Sequence, residues 1–384
     1  MIAPSFPDEK DNFYGGIFVK EQVKALSKHV DEINVVSPIP YSFGKEFKDK
    51  VCKDYSFDNV KVYFPRFWHL PLNYFRRMRG EREAEVIDKL IQKKNIKFDL
   101  IHAHFTWPSG YAGVLLKKKY NVPLVVTGHG FDVYDLPFRG KFWFEKVKWA
   151  LKSTDRIITV SKSNFDIIVK KIKISDNMLS IIPNGFNSHL FRPMDGTLTR
   201  ERLDLPQDKR IILNVANLVP VKGHKYLINA VSEVVENRQD IMLVIVGDGI
   251  LRKDLEKQIE NLNLRDYVTF VGAKPHQEIP LWMNAADLFV LSSLSESFGV
   301  VQIEAMACGK PVVATKNGGS EEIIISEDYG LLCEPADPED LAEKILMALK
   351  KNWNKEKIRQ YAEQFAWDNI IKEILKIYNS LWAK

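Results

Sequence analysis

The chain has 384 residues, 45% of them hydrophobic and 27% charged, with a formal net charge of +5. That length predicts two domains, and the modest charge, with no finger, RRM or basic-zipper pattern, excludes a nucleic-acid partner. Cys52, Cys308 and Cys333 are odd in number and scattered, which predicts neither a disulfide framework nor a zinc site and fits a reducing, cytoplasmic setting.

The start, from Met1 to Glu9, lacks the basic segment, apolar core and cleavage site of a secretory signal, and no apolar run is long enough to span a bilayer. Short runs rich in Val, Ile and Leu then alternate with longer amphipathic stretches, the signal for strand and helix units around buried parallel sheets. The predicted strands of the first half are 33–38, 60–65, 99–105, 124–128, 156–161 and 179–183. Those of the second half are 211–216, 242–247, 268–272, 288–292, 311–315 and 330–333. Val19, Val23 and Leu26 share one helical face, as do Leu251, Leu255, Ile259 and Leu262. Such a sheet normally opens with a full apolar strand, yet only Met1-Ile2-Ala3-Pro4 precedes the first loop, so either that strand is stunted or the start is misassigned. The turn chemistry of Pro183-Asn184-Gly185 marks a linker. It separates an N-terminal Rossmann-like domain, 1–184, from a C-terminal one, 185–366, each doubly wound. The run 367–384 is an amphipathic helix carrying Ile370, Ile371, Ile374, Leu375 and Tyr378 on one side.

The most informative segment runs from Ser295 through Glu296, Ser297, Phe298, Gly299, Val300 and Glu304 to Gly309 and Pro311. A strand, a small-residue loop and a helix start put backbone N–H groups and the positive helix end outside the carboxyl edge of a parallel sheet, where phosphates bind. Glu304, in the first turns of that helix, is able to accept two ribose hydroxyls, while Glu296 in the loop faces whatever the diphosphate carries.

Glu296 and Glu304, in the frame E-S-F-G-x-x-x-x-E-A, resemble the acidic pair of family 4 glycosyltransferases, a large retaining group with the GT-B fold. Gly15-Gly16, the run from Thr127 through His129 to Asp132, Val160-Ser161, Ile182 to Gly185, the run from Asn217 through Lys222 to Gly223, Val246 to Gly249 and Val271-Gly272 resemble the same family in the same order. Within it, the run from His102-Ala103-His104-Phe105 to Asp132 resembles enzymes that build surface polysaccharides, of the teichuronic acid type. The resemblance implies two Rossmann-like domains facing across a cleft, with the last helix returning to the first domain. It implies an acceptor-side N-terminal domain and a C-terminal domain that holds the nucleotide-sugar donor. Glu304 would then hold the ribose, and Glu296, with the backbone of Phe298, Gly299 and Val300, would face sugar and diphosphate. Lys222 would neutralise the diphosphate, Gly15 and Gly16 would lend it backbone, and His129 would meet the donor sugar near the reacting carbon. The family usually has an arginine where this chain has Asn217, which removes half of a two-cation clamp.

No Asp-x-Asp occurs in the chain, so the carboxylate pair with which metal-dependent transferases hold a divalent ion is missing. The expectation is a retaining, metal-independent transferase with no cofactor, passing a sugar to a glycan or lipid-linked acceptor. A nucleotide-sugar 2-epimerase on a similar fold and a non-catalytic nucleotide-sugar-binding subunit are the competing readings.

Each residue also has an ordinary reading. Glu304 alone is a solvated helix face, Lys222 a surface lysine in a turn, Gly15-Gly16 a simple turn and His129 a satisfied core histidine. Gly247-Asp248-Gly249 resembles a dinucleotide fingerprint, but Arg252 stands where the third glycine is needed. His102 and His104 fall on one side of a strand, and with no third ligand nearby packing is preferred to a metal. Segment 64–82 combines Phe67, Trp68, Leu70, Tyr74 and Phe75 with Arg66, Arg76, Arg77, Arg79 and Arg82, and the run from Phe138 and Arg139 to Phe144 has the same character. These suit peripheral docking on the inner, anionic membrane surface, or else a core with an arginine rim.

Overall fold

The structure is a computed structural model that describes all residues except 12–14, 42–51, 69–71 and 383–384. The chain forms two compact units, Met1–Gly185 with Trp367–Lys384, and Phe186–Ala366.

In unit 1, β1 (Ile33–Val36), β2 (Ile39–Tyr41), β3 (Tyr55–Phe57), β4 (Val60–Tyr63) and β5 (Arg66–Trp68) precede β6 (Ile101–His104), β7 (Leu124–Gly128), β8 (Arg156–Thr159) and β9 (Leu179–Ile181). Strands β6 to β9 run parallel in sequence order, β1 lies parallel to β4, and β3 runs antiparallel to β4. Strands β2 and β5 form a separate parallel pair. Ile2 closes the gap between β1 and β6: it bridges to Val36 on one side and Ala103 on the other. Its N–H donates to His102 O at 2.9 Å, and Val36 N donates to Met1 O at 2.9 Å. A single paired residue thus occupies the place where a full apolar strand was expected.

Side chains of a strand alternate between faces, and β7 shows the result. Val125 enters one core with Val19, Val23 and Leu26 of the helix Ile17–Ser27. Leu124 and Val126 enter the other, with Ile87 and Ile91 of Arg79–Lys94 and Val147 and Leu151 of Lys141–Ser153. The helix Trp367–Trp382 supplies Ile371, Ile374 and Tyr378 to the first of these cores.

Unit 2 contains β10 (Arg210–Val215), β11 (Ile241–Val246), β12 (Val268–Gly272), β13 (Leu288–Leu291), β14 (Val312–Thr315) and β15 (Gly330–Cys333). All pairings are parallel, in the order β12-β11-β10-β13-β14-β15. Leu243, Val244 and Ile245 have no exposed surface, and each such burial is worth about 1.5–3 kcal/mol. The chain winds outward from β10 through β11 and β12, then crosses back to place β13 on the other flank of β10. That reversal is the switch point, where the loops leaving two neighbouring strands diverge and leave a crevice at their carboxyl ends.

All twelve strands expected from apolar runs are present, with ends moved by up to two residues. Strands β2, β3 and β5 were not expected; at three residues each they are too short for alternation to be read. Both units are doubly wound α/β domains.

Ile371 is fully buried in the core that its helix shares with Ile17–Ser27, whereas Leu375 is half-buried. Ile371→Ala is expected to destabilise unit 1 by about 2–5 kcal/mol, and Leu375→Ala by less, as measured by urea unfolding of each variant.

Candidate functional site

The switch point of unit 2 brings together the loops after β10 and β13. The turn Val221-Lys222-Gly223 lies on the backbone leaving β13. Leu294 N donates to Val221 O at 2.7 Å, and Ser292 Oγ donates to Lys222 O at 3.0 Å. Gly223 has φ 66°, and a Cβ there would fall 2.0 Å from Ser292 O, so only glycine permits this approach. The contact places Lys222 Nζ 2.5 Å from Glu296 Oε1, which also accepts from Ser293 Oγ at 2.8 Å. A third loop, after β14, braces the second. Glu296 N donates to Asn317 O at 3.0 Å, and a Cβ on Gly319 would fall 2.8 Å from the Phe298 nitrogen.

Gly299 caps the helix Val300–Ala307, whose first N–H groups have no partner within the helix. The Phe298 ring is buried against Phe365, at 5.7 Å between centroids. Glu304, fifth in this helix and 7% exposed, has Oε1 2.9 Å from Nε2 of His276. Asn217 is exposed at the end of β10, its carbonyl accepting from Val219 N at 2.8 Å. Gly247 is a packing glycine, since a Cβ would lie 1.9 Å from Ala216 O.

In unit 1 the sequence positions Gly15, Gly16 and His129 also gather at the carboxyl edge. Gly16 caps the helix Ile17–Ser27, and Phe18 of that helix lies 4.8 Å from the His129 ring. The register pairs His104 with Thr127, so His129, just beyond β7, comes beside His104. Their Nδ1 and Nε2 atoms are 2.9 Å apart, and His102 binds Tyr378 Oη at 2.6 Å and Thr127 Oγ1 at 2.7 Å. Strand pairing also brings a third histidine, His129, beside His104 from 25 residues away. The three rings pair and stack with one another, and among the described residues no His, Cys, Asp or Glu group is arranged to hold a metal. Asp132 anchors the loop by accepting from the N–H groups of Thr106, His129 and Gly130.

Burial pushes His102 and His129 down to about 3, and His104 well below its ordinary value. The cluster is therefore neutral.

The two aromatic and basic segments meet on unit 1. Arg77 lies 4.8 Å from the Phe142 ring centroid, Arg82 4.9 Å from Phe75 and Arg139 4.7 Å from Phe131. Phe64 and Phe67 are core, whereas Trp68, Leu72, Phe131 and Phe138 are exposed. Leu70 and the side chain of Tyr74 lie outside the described residues.

Residues 15–190 match the model of Glycosyltransferase Family 4, and 196–365 that of Glycosyl transferases group 1. An uncharacterized glycosyltransferase of Methanocaldococcus jannaschii is 34% identical over 74% of this chain and 76% of its own. The putative teichuronic acid biosynthesis glycosyltransferase TuaC of Bacillus subtilis is 32% identical over 86% and 84%. The chain belongs to the family 4 glycosyltransferases. Among solved structures, sucrose-phosphate synthase of Thermosynechococcus elongatus matches with TM-score 0.83 and 24% identity, covering 100% of this chain and 99% of that one. Anabaena HepE in complex with UDP matches with TM-score 0.77 and 22% identity over 99% of each. These likenesses establish the GT-B fold class. The protein is a glycosyltransferase of the kind that uses nucleotide-sugar donors, which separates it from the isomerase and the non-catalytic readings.

Sequence reasoning missed His276, Asn317 and Gly319. The Asn317-Gly318-Gly319 run directly after β14 was a readable turn signal. His276 carried none, because its link to Glu304 spans 28 residues without a shared pattern.

The buried histidines make stability depend on pH. In the unfolded chain they take up protons near 6.5, while the folded unit refuses them until far lower pH. Their contribution is complete above about pH 6.5 and is lost as pH falls below it. Thermal midpoints recorded from pH 7 to pH 4 are expected to fall, and to fall less steeply for His104→Phe.

Proposed function

We propose that this family 4 enzyme transfers a sugar with retention of configuration, without a metal ion, from a nucleotide-sugar donor to a glycan or lipid-linked acceptor in polysaccharide or glycoconjugate synthesis. The observation that carries the reading is the set of Lys222, Glu296, the helix start at Gly299-Val300 and Glu304 at one switch point. Glu304, held by His276, takes the ribose hydroxyls. The diphosphate receives the N–H groups near Gly299 and Val300 and the ammonium of Lys222, which stabilises the leaving group as charge develops. To reach phosphate, Lys222 exchanges its contact with Glu296, whose carboxylate is thereby released toward the sugar. With Asn217 neutral, Lys222 is the principal cation on the diphosphate.

Transfer follows a front-face displacement. The bond from the anomeric carbon to the phosphate oxygen breaks as the acceptor oxygen bonds on the same face, and the acceptor proton passes to the departing phosphate. The name of TuaC favours a surface-polysaccharide acceptor.

Thermal unfolding with UDP, GDP, ADP and their sugar conjugates tests the donor site, beginning with UDP because the HepE structure holds it. A ligand at 100 times its Kd stabilises by about 2.7 kcal/mol. The expected result is a raised midpoint with one nucleotide family, unchanged in EDTA and absent in Glu304→Ala. A well-folded protein that responds to none of them would overturn the reading, as would a covalent glycosyl-enzyme on Glu296 for the mechanism.

No described helix is long and apolar enough to cross a membrane, so contact with a lipid-linked acceptor would be peripheral, on the cytoplasmic face. Exposed Phe131 and Phe138 beside Arg139 suit an anionic surface. Flotation with phosphatidylglycerol vesicles, but not with phosphatidylcholine vesicles, is expected, and Phe138→Ser with Arg139→Ser should abolish it. Equal flotation with both lipids, or none, counts against docking.

A further inference from the structure

Directly beyond β13 stand two serines, Ser292 and Ser293, with 1% and 0% of their surface exposed. Successive side chains of extended backbone point opposite ways, and these two reach different halves of the ion pair in unit 2. Ser292 Oγ donates to the main-chain carbonyl of Lys222 at 3.0 Å, whereas Ser293 Oγ donates to Glu296 Oε1 at 2.8 Å. One serine grips the backbone of the lysine and the other the carboxylate of the glutamate. Among the described residues, Nζ of Lys222 has a single hydrogen bond, the one to Glu296.

The two halves of the pair are held unequally. Glu296 N donates to Asn317 O at 3.0 Å, and the Ser293 carbonyl accepts from Thr315 Oγ1. Serine and glutamate are therefore both pinned to β14 and the loop that leaves it, and the hydroxyl crosses only three residues to reach the carboxylate. A carboxylate oxygen has two acceptor sites, so Oε1 takes the ammonium and the hydroxyl together. Lys222 is fixed along its main chain, but its ammonium ends a flexible four-carbon stem, and its side chain is 26% exposed against 13% for Glu296. A buried hydroxyl keeps its partner. When the pair opens, the lysine side chain is the part with room and freedom to move.

We propose that Ser293 is a positioning residue that keeps Glu296 Oε1 in place when Lys222 leaves for the diphosphate, so that the ion pair opens by movement of the lysine alone. Loss of the ammonium then does not free the carboxylate to turn. Oε2, which has no hydrogen bond among the described residues, is the oxygen presented to the donor sugar. The sugar contact rests on the donor reading proposed above; the holding of the carboxylate does not.

Crystal structures of two ligand-free variants, Lys222→Met and Lys222→Met with Ser293→Ala, decide the holding role. Lys222→Met imitates the departed ammonium, and Glu296 should stay within hydrogen-bond distance of Ser293 Oγ. In the double variant the carboxylate should leave that position. A carboxylate that swings away while Ser293 is present, or that stays in the double variant, overturns the proposal. UDP-glucose and UDP serve as probes of the consequence by calorimetry. Ser293→Ala should weaken UDP-glucose by about 3- to 10-fold, the range of one hydrogen bond, leave UDP unchanged, and recover in Ser293→Thr, which keeps the hydroxyl. Equal weakening of both ligands means that Ser293 only supports the fold, and overturns the positioning role. If Glu296→Ala binds UDP-glucose as wild type does, the sugar contact of Glu296 is wrong. If UDP itself does not bind, a uridine donor is wrong, and in both cases the ligand-free structures still decide whether Ser293 holds the carboxylate.

Discussion

The backbone of the turn at Lys222-Gly223 rests on the backbone leaving β13, and the candidate site of unit 2 depends on that contact. A Cβ on Gly223 would occupy the position of the Ser292 carbonyl, so the approach is a property of a missing side chain. It brings Lys222 to Glu296, and the loop at Asn317-Gly319 closes on Glu296 and Phe298 from the other flank. Three loops from β10, β13 and β14 are thus locked main chain to main chain. Rigid backbone is what preorganised charge requires, because donors that are already aimed need no reorganisation when charge develops.

The two units handle polar burial in opposite ways. In unit 2 the polar groups at the sheet edge are paired across loops, Lys222 with Glu296 as an ion pair and Glu304 with His276 through a hydrogen bond. In unit 1 they are neutral imidazoles inside the sheet, their charge suppressed by burial and their hydrogen bonds directed to one another, to Thr127 and to Tyr378 of the last helix. The first arrangement suits a phosphate-bearing ligand. The second suits hydroxyls, which are recognised by fixed direction more than by charge.

What could be read in the sequence follows from how far each signal reaches along the chain. Parallel strands buried on both faces appear as unbroken apolar runs, which is why β10 to β15 were all visible. The first strand was not, because Ile2 alone carries the pairing that joins β1 to β6. Glu296 and Glu304 stood out through a local frame of loop and helix start. Their pairings did not: Lys222, marked through the resemblance alone, is 74 residues from Glu296, and His276 is linked to Glu304 only by folding. The histidine cluster shows the same limit, since the proximity of His104 and His129 follows from the register of β6 on β7, which no single-strand pattern reveals. Likewise, Arg77 and Phe142 belong to segments that resemble each other in composition, but only packing joins them.

The closed contact between Lys222 and Glu296 has a consequence for selectivity in a cell rich in phosphate. The carboxylate is a tethered competitor, present at a high local concentration that no free anion matches. Inorganic phosphate or sulfate would have to displace it with nothing further to gain. On the proposed donor reading, a nucleotide-linked diphosphate would bring a ribose for Glu304 and a run of backbone contacts along with its charge. On this view the ion pair acts as a filter that screens out small anions and admits only ligands large enough to engage the whole crevice.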